Sequence, residues 1–123
     1  MPGGPNIVVQ KMWEVTIATF EDARLLEVHM IDQIGEELYK LVDEQDRKKL
    51  VVDLSKVQFL ASAAVGMIMN LQRKSQAIKG TLVLCGVRAE IMRVFEIMKL
   101  TKVLKFAPDE KTAMQMLGYS TAR

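Results

Sequence analysis

With 123 residues, 50% of them hydrophobic and 26% charged, the chain has the size and balance of one globular domain, able to bury roughly two-thirds of its unfolded surface without disulfide or metal support. Its 17 Lys and Arg against 15 Asp and Glu are interspersed, and one Trp, two Tyr and four Phe are scattered among them, so the basic stripe with stacking aromatics that marks a nucleic-acid binder is missing. The single cysteine, Cys85, excludes an internal disulfide, residues 1–5 lack the basic and apolar regions of a secretory signal, and no apolar run approaches the ~20 residues that span a bilayer.

Residues 1–5 are a Pro/Gly lead with nothing to bury, and 119–123 form a polar tail after Gly118. Both are expected to be loose, with a single domain over 6–118 between them. Ile7, Val8 and Val9, then Val15, Ile17 and Thr19 alternating with Glu14, Thr16 and Ala18, predict two strands joined tightly near residues 10–13. The period then changes. Ile31, Ile34, Leu38, Leu41 and Val42 recur at helical spacing, with Asp32, Gln33, Glu36, Glu37 and Lys40 on the other face, which predicts a helix over 29–44.

A charged turn at 46–49 leads into the apolar run 50–54, which reads as a strand inside a covered sheet. A second helix is predicted over 62–79, with Ala64, Ile68, Leu71, Ser75 and Ile78 along one line and Gly80 as its stop. Residues 81–85 read as another buried strand, 89–99 as a third helix burying Ile91, Val94, Phe95 and Met98, 102–106 as a short edge strand, and 109–117 as a closing helix. The alternation implies parallel strands joined by crossovers. The expected architecture is an α/β fold with a mixed four- to five-stranded sheet and about four helices packed on it.

The inventory for catalysis is thin. His29 is the only histidine and stands at the start of an amphipathic helix, where a surface or capping role is expected. Cys85 lies beside Leu82, Val83 and Leu84 in an apolar strand, the setting of an inert core thiol. Neither G-x-G-x-x-G nor G-x-x-x-x-G-K-[ST] occurs, and Cys and His do not recur at metal-ligand spacing. No catalytic residue, metal or cofactor is therefore expected, and the chain reads as a reduced, cytoplasmic binding protein without a membrane or nucleic-acid partner. Met92, Met98, Met114 and Met116 read as core filling at or beside the buried positions of their helices.

One stretch departs from this ordinary pattern. With the core line of the second helix turned inward at 100° per residue, Ala63, Gly66 and Asn70 point outward, flanked by Met67 and Met69. A solvated helix face normally carries Glu, Lys or Gln. A side-chain-poor, partly apolar surface serves either close approach of another protein or close packing within the domain.

The run Val51-Val52-Asp53-Leu54-Ser55-Lys56-Val57-Gln58-Phe59-Leu60, the small-residue helix start after it, and Lys79-Gly80-Thr81-Leu82-Val83-Leu84-Cys85-Gly86-Val87 together resemble a STAS domain, the module of anti-sigma factor antagonists and of the cytoplasmic tails of sulfate transporters. The resemblance runs from Val15 to the last helix. It implies a STAS-type fold and a non-catalytic regulatory role, with an anti-sigma factor or related kinase-like protein as partner. In bacterial antagonists the strand-helix junction usually reads Asp-Ser-Ser-Gly, and the partner kinase phosphorylates the second serine to release the complex. Here the junction is Ala61-Ser62-Ala63-Ala64. Ala63 stands at the phosphorylated position and has no oxygen to accept a phosphoryl group, and Ala61 replaces the acid.

The resemblance places partner binding at Leu60, Ala61, Ser62, Ala63, Ala64, Gly66, Met67 and Asn70. Ser62 is the remaining hydroxyl, read either as a phosphorylation candidate or as the helix cap. The other reading of such a domain is ligand sensing, of a nucleotide or lipid, or scaffolding in a larger regulatory assembly. The oligomeric state is left open.

Overall fold

The computed structural model describes residues 7–22, 24–25 and 27–119, so the lead at 1–5 and most of the tail, 120–123, lie outside the described residues. The elements follow one another as β1 (Ile7–Met12), β2 (Val15–Phe20), β3 (Arg24–Leu25), α1 (Val28–Asp43), β4 (Lys49–Asp53), β5 (Phe59–Leu60), α2 (Ser62–Ala77), β6 (Thr81–Cys85), α3 (Ala89–Ile97), β7 (Lys105–Ala107) and α4 (Glu110–Met116). β1, β2, β4, β6 and β7 form one mixed sheet in that order, antiparallel at β1–β2 and parallel thereafter. β3 and β5 pair in parallel as a separate two-stranded ribbon.

Alternation along the strands assigns the two faces of the sheet. Phe20, Ala18, Leu50, Val52, Leu82 and Leu84 face α1, α2 and α3 and form the larger core with Ile31, Ile34, Leu38, Ile68, Leu71, Ile91 and Phe95. Val15, Ile17, Val51, Val83, Cys85 and Ala107 face α4 and are covered by Ala113, Met114 and Leu117. Central strands buried on both faces have no polar side to show. This is why β4 and β6 read as unbroken apolar runs before Asp53 and up to Cys85.

Several details depart from the sequence-based expectations. The first turn is at Trp13 and Glu14, since Met12 pairs with Val15, and Trp13 adopts a φ of 57°, an uncommon conformation for a bulky residue. Its ring stacks on Tyr119 with centroids 5.9 Å apart and planes at 1°. Tyr119, expected to begin the loose tail, is instead held: its hydroxyl donates to Glu14 Oε1 at 2.9 Å, and Lys49 Nζ lies 4.6 Å from its ring centroid. Met98, expected in the core, is 45% exposed, because α3 ends at Ile97 and the chain turns there, with Lys99 at a φ of 61°. Met116 is likewise exposed, whereas Met114 is buried. The last strand begins at Lys105 rather than 102, because residues 101–104 form turns.

Candidate docking surface at the start of the second helix

The parallel strands all deliver their C-terminal ends to one edge of the sheet, the edge where open α/β folds most often place their sites. α2 begins there, directly after β5. Its N-cap position is Ala61, extended at φ −75° and ψ 157°, with no side-chain cap hydrogen bond. Ser62 is therefore the first helical residue and exposed, not the cap that one sequence reading expected. A serine at this position points its hydroxyl to solvent when no turn amide lies within its reach.

The eight positions expected to bind a partner divide by burial. Ser62, Ala63, Gly66 and Asn70 are exposed, and Leu60 and Ala61 are half-buried. Ala64 is fully buried and Met67 is 5% exposed, so Ala64 belongs to the core and leaves the contact set. Met67 is a floor rather than a protrusion. It packs on α1 where Gly35 sits: a Cβ added to Gly35 would lie 3.0 Å from Met67 Cγ, and the Tyr39 hydroxyl donates to the Met67 carbonyl at 3.3 Å. Lys74 ties the same helices together further along, donating to Asp43 Oδ2 at 2.8 Å while lying 5.1 Å from the centre of the Tyr39 ring.

This close helix pair leaves a cleft of 440 Å³ between α1 and α2, walled by Asp32, Glu36, Tyr39, Ala63, Gly66 and Asn70 over the Met67 floor. Nothing lies within 4 Å of where a Gly66 Cβ would be, so that position is open to the outside. Asn70 is held from its own helix by Arg73, which donates to its side-chain oxygen. A second cleft, of 530 Å³, opens on the other side of the helix start and is lined by Gln58, Phe59, Leu60, Arg88, Glu90, Ile91 and Val94. Phe59 is 49% exposed, with the Arg24 guanidinium 4.9 Å from its ring centroid, and Arg88 Nε donates to the Ser55 carbonyl at 3.3 Å. Ser62 and Ala63 form the low ridge between two hollows. The α1 wall and Phe59 were missed in the sequence, because their proximity to α2 depends on helix packing and on the β3–β5 ribbon.

The remaining candidates lie elsewhere. His29 is exposed on the first turn of α1, 3.3 Å from the Gln33 amide nitrogen. Cys85 is fully buried, and burial first, then the charges of Asp53, Glu110 and Asp109, push its thiol up to about 12, far from a thiolate nucleophile at neutral pH. Among the described residues no group of three or more His, Cys, Asp or Glu is placed to hold a metal ion, and no helix is long and apolar enough to cross a membrane.

Among the described residues, the sheet order, the three helices on one face and the small helix on the other define an α/β fold of the STAS type, and the STAS domain family model matches residues 16–113. The chain belongs to the STAS domain family. BtrV of Bordetella bronchiseptica, provisionally named an anti-sigma factor antagonist, is 27% identical over 82 residues, covering 67% of this chain and 70% of BtrV. An anti-sigma-factor antagonist (STAS) domain protein from Planctomyces limnophilus superimposes with a TM-score of 0.81 at 20% identity, over 91% of this chain and 97% of that one. An anti-sigma factor antagonist from Mycobacterium paratuberculosis gives 0.77 at 17% identity, over 94% and 96%. At such identities the structural likeness establishes the fold.

Proposed function

We propose that this chain is a non-catalytic, cytoplasmic anti-sigma-factor-antagonist-like protein that docks an anti-sigma factor or related kinase-like ATPase through the start of α2. The observation that carries the reading is the exposed ridge of Ser62 and Ala63, free of long side chains and lying between two clefts. A ridge this low lets a partner's backbone approach α2 while partner side chains enter the hollows on either side, the shape complementarity that the centre of an interface needs. Asp32 and Glu36 make one hollow acidic, whereas Arg88 and Glu90 line the other with Arg24 over its Phe59, so the two differ in charge, which favours one orientation of the partner.

The family resemblance puts Ala63 at the position where related antagonists carry the phosphorylated serine. With no oxygen there, docking is constitutive with respect to that switch. Ser62 is exposed, but at 100° per residue it points well away from the direction of position 63, so a kinase aligned on the latter does not reach its hydroxyl.

Affinity capture from the native cell tests this reading, with wild type and Gly66→Trp as baits. Wild type is expected to retain an anti-sigma or kinase-like ATPase-fold protein and Gly66→Trp to lose it, with both baits equally folded by circular dichroism. Equal retention by both baits would remove α2 from the interface, and wild type retaining no such protein would overturn the assignment.

A further inference from the structure

The parallel strands all start at one edge of the sheet, opposite the edge where α2 begins. The ends of α1, α2 and α3, the turns that follow them and the β1–β2 turn gather at that starting edge. Val15 of β2, Lys49 of β4 and Thr81 of β6 lie level across the sheet there, and the Thr81 amide donates to the Lys48 carbonyl at 2.6 Å.

Of the nine large apolar side chains exposed among the described residues, five stand at this edge: Met12 and Trp13 at the first turn, and Ile97, Met98 and Val103 around the turn that leaves α3. Ile97 is 73% exposed and Trp13 61%, the two highest values among the nine. The turn after α3 is fixed. Leu104 is buried, its amide donates to the Leu100 carbonyl at 3.0 Å, and Gln72 Nε2 of α2 donates to the Val103 carbonyl at 3.2 Å. The apolar tips are thus held out in water on a pinned backbone.

Lysines surround them. Lys11, Lys79, Lys99, Lys102 and Lys105 are exposed, and among the described residues none has a carboxylate within ion-pair distance. Three acids of the same edge are already engaged, Asp43 with Lys74, Asp46 with Lys48 and Glu14 with the Tyr119 hydroxyl, so cationic charge is in excess. All four non-glycine residues of positive φ among the described residues, Trp13, Asp46, Lys79 and Lys99, lie in these turns, where glycine or asparagine is easier to hold. The helix dipole accounts for a cation after α2 and after α3. It accounts neither for an exposed tryptophan in such a turn nor for the uncovered Ile97 and Met98.

We propose that this edge rests on a membrane surface rich in anionic lipid, with Trp13, Ile97, Met98 and Val103 entering the headgroup region and the five lysines facing lipid phosphates. Buried apolar area and attraction to the headgroups act together in such binding, and four or more clustered lysines suffice for the electrostatic part. A nucleic acid would use the charge and leave the apolar tips in water. The hollow between Glu96, Lys99, Thr101 and Lys102 is only 280 Å³ and lined by polar residues, so it offers a protein partner no apolar seat. Resting this way, the chain needs no membrane-crossing helix, and the start of α2 at the opposite edge faces away from the bilayer. The sequence did not show this surface, because residues 11–13, Lys79 and 97–105 are separate stretches that meet only through the strand order.

Trp13 is the single tryptophan and reports on its own surroundings. The full chain is titrated with unilamellar vesicles of phosphatidylcholine containing about 30% phosphatidylglycerol. Co-sedimentation and a blue shift of Trp13 emission are expected together, both absent with phosphatidylcholine alone, and binding is expected to fall at least about tenfold in roughly 0.5 M salt. The double variant Lys99→Gln, Lys102→Gln is expected to bind roughly thirtyfold more weakly, and Ile97→Ser on the order of tenfold more weakly with unchanged salt dependence. All three positions are exposed, and equal melting temperatures confirm that the variants fold. Failure to bind, equal binding with and without phosphatidylglycerol, sedimentation without a change in Trp13 emission, or tighter binding to poly-uridylate than to the vesicles would each overturn the proposal. No partner protein enters the measurement, so its outcome is independent of docking at α2.

Discussion

Gly66 shows how much a single position of α2 is asked to do. In a helix interior glycine is less favourable than alanine by about 0.5–1 kcal/mol, and the open space at Gly66 means that a methyl group would meet nothing. Gly66→Ala is therefore expected to raise unfolding free energy by about that amount, read from the urea midpoint at unchanged slope. A decrease would mean that the position is packed rather than open. The exposure of Ala63, Gly66 and Asn70 was legible in the sequence, because a 100° step from a core line fixes which side chains point away. The burial of Ala64 was legible too, since it sits on that core line. Met67 was not, because its cover comes from Gly35 of α1, and how closely two helices approach is decided by residues far apart in the chain.

At the level of elements, the periodic helices and the doubly buried strands were legible, and their ends moved by at most two residues, as fraying and capping make usual. The two-residue strands β3 and β5 were not, since so short a segment has no period to read. The first turn escaped because Trp13 is not a turn former; its φ of 57° is tolerated where the ring stacks on Tyr119. Tyr119 thus fastens the end of the described chain to the β1–β2 hairpin, and Tyr119→Ala is expected to lower the melting temperature and quicken amide exchange in α4 and the hairpin. An unchanged melting temperature would show that the stack is ornamental. α2 itself is held by its inner face. Ile68 is fully buried in the larger core, and Ile68→Ala is expected to cost about 2–5 kcal/mol in denaturant unfolding. A loss well under 1 kcal/mol would mean that α2 is docked loosely, which a rigid binding ridge does not allow.

Across the whole molecule, two cores lie on the two faces of the sheet. The larger core sets α1, α2 and α3 side by side and so fixes the paired clefts around Ser62 and Ala63, whereas the smaller core holds α4 on the opposite face. Substitutions on the exposed face of α4 are accordingly expected to leave partner affinity unchanged. The central claim is that this protein docks through the start of α2 and has lost the switch at Ala63. It is tested most directly by measuring affinity for the captured kinase-like partner, before and after incubation with ATP, for wild type and Ala63→Ser. Wild type is expected to bind equally in both states and to carry no phosphate by mass spectrometry, while Ala63→Ser gains one phosphate and loses affinity. Phosphate on wild-type Ser62 with release of the partner, or an Ala63→Ser protein that the partner neither binds nor modifies, would contradict the account.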